Sequence, residues 1–228
     1  MSPHCTLAED KGVDLKLPLV TLQQLFTELA KDFPDKTALI CRHQSADFLH
    51  QVSQPSTNGS KCLRWTHSQL YAAGELLATR LHALGIRNGM RIAAFLRNGA
   101  QYAVGLYAAA LLGAVFVAIN PALATKSEEA NYMLRTAEAS ALLAWDANMA
   151  NDLDRGIEQD LAAKILVKAI CNPPDTLPKG WHNLEDLLDP KSNYDQILLG
   201  DANKSHLDDL ALIIFTSGTT SRPKGVKQ

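Results

Sequence analysis

The residues best equipped for chemistry lie near the end of the sequence, in the run Thr216-Ser217-Gly218-Thr219-Thr220-Ser221-Arg222-Pro223-Lys224-Gly225. Thr216, Ser217, Thr219, Thr220 and Ser221 each carry a hydroxyl. Hydroxyls and backbone amides at the end of a strand can wrap a polyphosphate, because each donor points at anionic oxygen. Gly218 admits close backbone approach, Lys224 supplies a mobile positive charge, and Pro223 stiffens the chain just before it. The spacing is not that of the G-x-x-x-x-G-K-[ST] loop: counted from Gly218, Pro223 holds the place of the second glycine, and Gly225 follows the lysine. A polar surface turn of the same composition is the plain alternative. The order of the residues, directly after an apolar strand, favours a phosphate loop.

The elements that must position this loop follow from pattern. Ala211 to Phe215 has the length and β-branched content of a buried strand, and Val226 begins a returning one. Upstream, Leu22, Leu25, Phe26 and Leu29 mark a helix over 21–31, followed by a short strand from Thr37 to Ile40. Residues 41–62 are polar and read as a surface insertion without visible chemistry. Thr66 and Gln69 form a capping box for a helix with Ala73, Leu77, Leu81 and Leu84 on its inner face, and Gly85 suits a left-handed cap. A strand from Ile92 to Leu96 precedes an alanine-rich helix, capped by Asn98 and running to Leu112, and then a strand from Val115 to Ile119. Thr125-Lys126-Ser127-Glu128 reads as a second capping box, opening a helix to Ala137. A strand from Ala141 to Trp145, a helix over 148–162, a strand from Lys164 to Ile170 and a short helix from Leu184 to Leu188 complete the series. This alternation predicts an α/β fold, a mostly parallel sheet with helices on both faces.

A chain of 228 residues is long enough to bury a real core in one or two domains. A formal charge of -2 offers no electrostatic reason to expect nucleic acid. Cys5, Cys41, Cys62 and Cys171 lie far apart, so neither a zinc site nor a dense disulfide framework is indicated and a reducing compartment is the default. The N-terminus lacks the basic start and apolar segment of a signal peptide. Nothing from Asn98 to Thr125 is charged, but Asn98, Gln101, Gly113, Asn120 and Pro121 interrupt it. A buried helix and strand explain that stretch better than a membrane span. Asp208 and Asp209 read as solvating the start of a strand rather than as an acid–base pair.

The order T-S-G-T-T-x-x-P-K-G closely resembles the signature loop of the adenylate-forming (AMP-binding) superfamily, which includes acyl-CoA synthetases, adenylation domains of peptide synthetases, and luciferases. Pro34-Asp35-Lys36-Thr37-Ala38-Leu39 resembles the superfamily's P-D-K-x-A-L turn, and Trp65 to Leu70 is a variant of its T-Y-x-E-L motif. The segment from Leu111 to Pro121 is similar to K-A-G-A-x-x-V-P-L-N-P. Ser221 stands where the family usually has glycine, which bears on how the loop grips phosphate. The similarity spans Leu22 to Gln228, with 41–62 outside it.

The resemblance implies ATP-dependent activation of a small-molecule carboxylic acid as an acyl-adenylate, followed by transfer to coenzyme A. Carboxylate oxygen must attack an anionic phosphate, so charge neutralisation and positioning matter more than a covalent nucleophile. Thr216, Ser217, Gly218, Thr219, Thr220, Ser221 and Lys224 are the implied nucleotide-phosphate residues, with Mg²⁺ bridging phosphate oxygens. The family's acyl pocket, adenine segment, magnesium-binding glutamate, ribose aspartate and C-terminal lysine are not among these residues, so no catalytic residue or metal ligand is assigned. The expected organisation is an N-terminal extension at 1–20 and an incomplete N-terminal AMP-binding domain at 21–228, without the C-terminal domain and inactive by itself. A carrier-linked adenylation domain of a synthetase or carboxylate reductase stays open, as does a truncated non-catalytic remnant that binds a nucleotide or partner. The cytoplasm is the default location, with the peroxisome open to a full-length form.

Overall fold

The computed structural model describes residues 19–49, 61–191, 203–216 and 223–228. Its centre is a seven-stranded sheet, and apolar runs in the sequence place five of its strands, all but the short ones at His182–Asn183 and Lys224–Lys227. The strands are β3 (Arg91–Phe95), β4 (Val115–Ala118), β5 (Ala139–Asp146), β6 (Val167–Asn172), β7 (His182–Asn183), β8 (Leu212–Thr216) and β9 (Lys224–Lys227). Their spatial order is β7-β6-β5-β3-β4-β8-β9, and every neighbouring pair is parallel except β8 with β9. A separate antiparallel ribbon joins β1 (Thr37–Ser45) to β2 (Cys62–Thr66).

Successive side chains of a strand point to opposite faces, and the two faces of the sheet carry separate cores. Ile92, Ala94, Phe116, Ala141 and Leu143 pack with α1 (Leu22–Asp32), α2 (His67–Ala83), α3 (Ala100–Leu112) and α7 (Leu184–Leu187). Ala93, Phe95, Val117, Leu142 and Ala144 pack with α4 (Ser127–Ala137), α5 (Ala147–Gly156) and α6 (Gln159–Ala162). The expected α/β architecture, a mostly parallel sheet between two helical layers, is the one present.

Local chemistry sets several boundaries. Thr66 accepts from the Gln69 amide, and the Gln69 side chain accepts from the Thr66 amide, which is the reciprocal box read from the sequence. Gly85, at φ +101°, lets the Gly85 and Ile86 amides return to the carbonyls of His82 and Leu81 and close α2. Helix α3 is buried on nearly every side, so the uncharged stretch is a core helix followed by β4 and a 3-10 turn at Pro121–Thr125. Among the described residues no helix is long and apolar enough to cross a membrane.

Several boundaries differ from expectation, most of them for a long-range reason. Strand β1 continues through Ser45 rather than stopping at Ile40, because residues 40 and 41 keep pairing with Arg64 and Leu63. Asn98 does not cap α3; the cap residue is Gly99, and the Ala100 amide donates to Gln44 Oε1 at 2.8 Å. The box at Thr125 does not form, because Thr125 ends the 3-10 turn and its hydroxyl donates to the Ala122 carbonyl. The helix expected over 148–162 also breaks in two. Asn131 on α4 donates to the Gly156 carbonyl at 2.7 Å and accepts from the Glu158 amide at 2.9 Å, which holds the chain out of helix between α5 and α6.

Candidate nucleotide-phosphate site

Strand β8 lies parallel to β4, with Leu212, Ile213 and Ile214 opposite Phe116, Val117 and Ala118. Its carboxyl end therefore emerges on the same edge of the sheet as those of β3, β4 and β5. Strand β9 returns antiparallel, pairing Ile214 with Val226, Phe215 with Gly225, and Thr216 with Lys224. Two of the phosphate residues read from the sequence, Thr216 and Lys224, thus face each other as the last pair of the ladder. The chain between them is Ser217 to Pro223.

Ser217, Gly218, Thr219, Thr220 and Ser221 lie outside the described residues, as does the side chain of Thr216. Lys224 is exposed at the first position of β9. The anchors on either side are well defined. Ile213 is buried in the second core, and a Cβ on Gly225 would lie 3.3 Å from Ile213 and 3.4 Å from the Phe215 ring, so glycine lets that ring lie across the returning strand. The segment entering β8 is held by Gln23, whose side chain donates to the carbonyls of Leu111 and Asn203 and accepts from the Ser205 amide. The Asp208-Asp209 pair sits where solvation predicts: both are exposed, and Asp209 accepts from the His206 amide at 2.7 Å to close a turn before β8.

The same edge carries a crevice of about 390 Å³ lined by Arg97, Asn120, Thr125, Asp146, Asn148 and Asp152, among others. It opens where β3 leads to α3 on one face while β4 leads to α4 on the other, the kind of switch point at which parallel sheets receive ligands. Arg97 lies 5.8 Å from the Trp145 ring. Asp146 accepts from the Met149 amide at 2.9 Å and caps α5. The arrangement sets one guanidinium and the Asn120 and Asn148 carboxamides beside the Asp146 and Asp152 carboxylates, a mixed donor and acceptor set suited to a hydroxyl-bearing group. Sequence reading passed over Arg97 and Asp146; their signal was position, since each stands at or just beyond the carboxyl end of an apolar strand.

No cluster of three or more metal-ligating side chains occurs among the described residues. The loop itself offers hydroxyls, amides and a lysine but no carboxylate, a donor set suited to phosphate oxygen rather than to a bare cation.

Comparison with known proteins agrees with this geometry. Crotonobetaine/carnitine–CoA ligase of Shigella flexneri serotype 5b is 31% identical over 207 residues, covering 90% of this chain and 36% of that protein. A fatty acyl CoA synthetase of Mycobacterium tuberculosis matches with a TM-score of 0.62 at 25% identity, over 91% of this chain and 34% of that one. An anthranilate CoA ligase in complex with anthranoyl-AMP matches in fold with a TM-score of 0.66 at 20% identity, over 92% and 34%. The chain spans about a third of the length of these relatives. A family model described as AMP-binding enzyme matches residues 26–228, and the chain accordingly belongs to the AMP-binding enzyme family.

Proposed function

We propose that this chain forms the ATP-phosphate-binding part of a ligase that joins a carboxylic acid to ATP as an acyl-adenylate, releases pyrophosphate, and passes the acyl group to coenzyme A. The observation that carries this reading is the opposition of Thr216 and Lys224 at the carboxyl edge of the parallel sheet, joined through the T-S-G-T-T segment. Backbone amides and hydroxyls of residues 216–221 take the phosphate oxygens, and Lys224 balances the charge of the leaving pyrophosphate. Mg²⁺ bound with the nucleotide would supply further charge neutralisation, while residues 216–221 and Lys224 hold the phosphates. Coenzyme A is favoured over a carrier-bound thiol because the relatives bear the names of CoA ligases. The activity is that of a chain of the relatives' length.

Acid-dependent exchange of labelled pyrophosphate into ATP by the full-length form, across a panel of small carboxylic acids, tests this. Exchange that needs both the acid and Mg²⁺ supports the reading. Absence of exchange with every acid, from a protein that still binds Mg-ATP, would leave a nucleotide-binding protein and overturn it.

A further inference from the structure

The sequence contains three Asn-Gly pairs, Asn58-Gly59, Asn88-Gly89 and Asn98-Gly99. Such a pair carries its own chemistry. The glycine amide nitrogen can attack the side-chain carbonyl carbon of the asparagine, because no Cβ on glycine obstructs the approach. By sequence the three are alike. Asn58-Gly59 lies outside the described residues, and the fold treats the other two differently. Asn88-Gly89 is pinned at both reacting groups. The Gly89 amide donates to the Gly113 carbonyl at 2.9 Å, and the Asn88 side chain donates to the Lys204 carbonyl at 3.4 Å. Asn88 also packs on Gly113, where an added Cβ would stand 2.4 Å from Asn88 Nδ2. Asn98-Gly99 is free at both. Gln44 takes the cap of α3 that Asn98 was expected to fill, so the Asn98 carboxamide stands exposed. Among the described residues neither that carboxamide nor the Gly99 amide has a hydrogen-bond partner. Both asparagines are exposed, so solvent access does not separate the two pairs; hydrogen bonding does.

We propose that Asn98 is a site of spontaneous deamidation, a modification from which the fold protects Asn88. Hydroxide takes the Gly99 amide proton, and the Gly99 nitrogen forms a bond to Asn98 Cγ. The carboxamide nitrogen of Asn98 gains a proton from water and leaves as ammonia, closing a five-membered imide. Water then opens the imide at one of its two carbonyls, giving aspartate or isoaspartate. One water is consumed, one ammonia is released, and nothing is oxidised or reduced. At Asn88 the same attack must first break the Gly89–Gly113 hydrogen bond and lift the side chain off Gly113. The product at residue 98 carries a carboxylate just ahead of the α3 cap, where the helix dipole favours negative charge. It also lies next to Arg97, which lines the crevice at this edge of the sheet. The isoaspartyl form lengthens the main chain between β3 and α3 by one methylene, at the point where Gln44 holds the helix end.

The test is to incubate the 228-residue chain at mildly alkaline pH, with and without urea, digest it at acidic pH, and map the peptides by mass. Fragmentation assigns the modified residue, and isoaspartate identifies the imide route. In the folded chain Asn98 is expected to convert on the order of tenfold faster than Asn88, the factor that one backbone hydrogen bond withholds. In urea the two rates converge. Gly99→Ala slows conversion at Asn98 and leaves the rate at Asn88 unchanged. An unmodified Asn98, an Asn88 that keeps pace with it in the folded chain, or a difference that persists in urea would each overturn the proposal. The peptide map of the unmutated chain decides this even where the variant fails to fold.

Discussion

The side-chain amide of Gln44 donates to Gln101 Oε1 at 2.9 Å across 57 residues of sequence, while its own Oε1 accepts the first free amide of α3. One carboxamide thus satisfies a helix end and a buried side chain together. Gln101 is 1% exposed, and its Nε2 has no hydrogen-bond partner, so this corner of the first core depends on Gln44 for most of its polar pairing.

Gln44→Ala leaves the Ala100 amide and Gln101 Oε1 buried and unpaired. Lost caps and unsatisfied buried groups each cost about 1–2 kcal/mol, and the expected loss is about 2 kcal/mol in urea unfolding. A double-mutant cycle with Gln101→Ala measures the coupling. Simple additivity would show that the two carboxamides act independently.

Helices α2 and α3 approach closely at Gly74, where an added Cβ would stand 2.5 Å from the Cβ of Tyr107. Tyr107 cannot retreat freely, because Phe26 of α1 stacks on its ring with centroids 3.8 Å apart. Gly74→Ala is expected to destabilise the fold by about 2 kcal/mol through overpacking, despite alanine's better helix propensity. Thermal unfolding at matched concentration reads the effect, and a stabilised variant would contradict the packing argument.

Lys224→Ala and Thr220→Ala concern the proposed activity. In the full-length form each is expected to slow ATP–pyrophosphate exchange on the order of 100-fold, as removal of a preorganised charge-stabilising donor does elsewhere. The exposed position of Lys224 predicts little change in unfolding midpoint for that variant. Full exchange activity in both variants would show that the loop does not hold phosphate.

Arg135 on α4 makes paired hydrogen bonds to Asp160, at 2.6 and 2.7 Å, and a further one to Glu158. The guanidinium holds the Asp160 carboxyl below its usual range. A depressed folded-state value means that the stabilisation is complete above the ordinary aspartate value of about 3.9 and is lost as pH falls through the lower folded value. Urea midpoints of the native chain and Asp160→Asn should differ near neutral pH and converge on acidification. Both groups are solvent-exposed, so the gap is also expected to shrink in salt.

What could be read from the sequence was what neighbouring residues decide among themselves. The Thr66–Gln69 box, the left-handed turn at Gly85, the apolar runs of the strands and the phosphate-loop motif after β8 all rest on chemistry within a few residues, where spacing alone reveals the partner. The tertiary structure decided whatever depends on partners far along the chain. Gln44 takes the cap that Asn98 was expected to fill, Asn131 splits a helix that reads as continuous, and β1 extends because Arg64 and Leu63 are there to pair with it. Strand order belongs to the same class: β3 sits between β4 and β5, and β8 beside β4, because two helical layers must cover both faces of one sheet. That placement brings Arg97 and Asp146 to the edge where Thr216 ends. Apolar runs and local caps specify that strands and helices exist; which of them become neighbours is settled only when both faces of the sheet are buried.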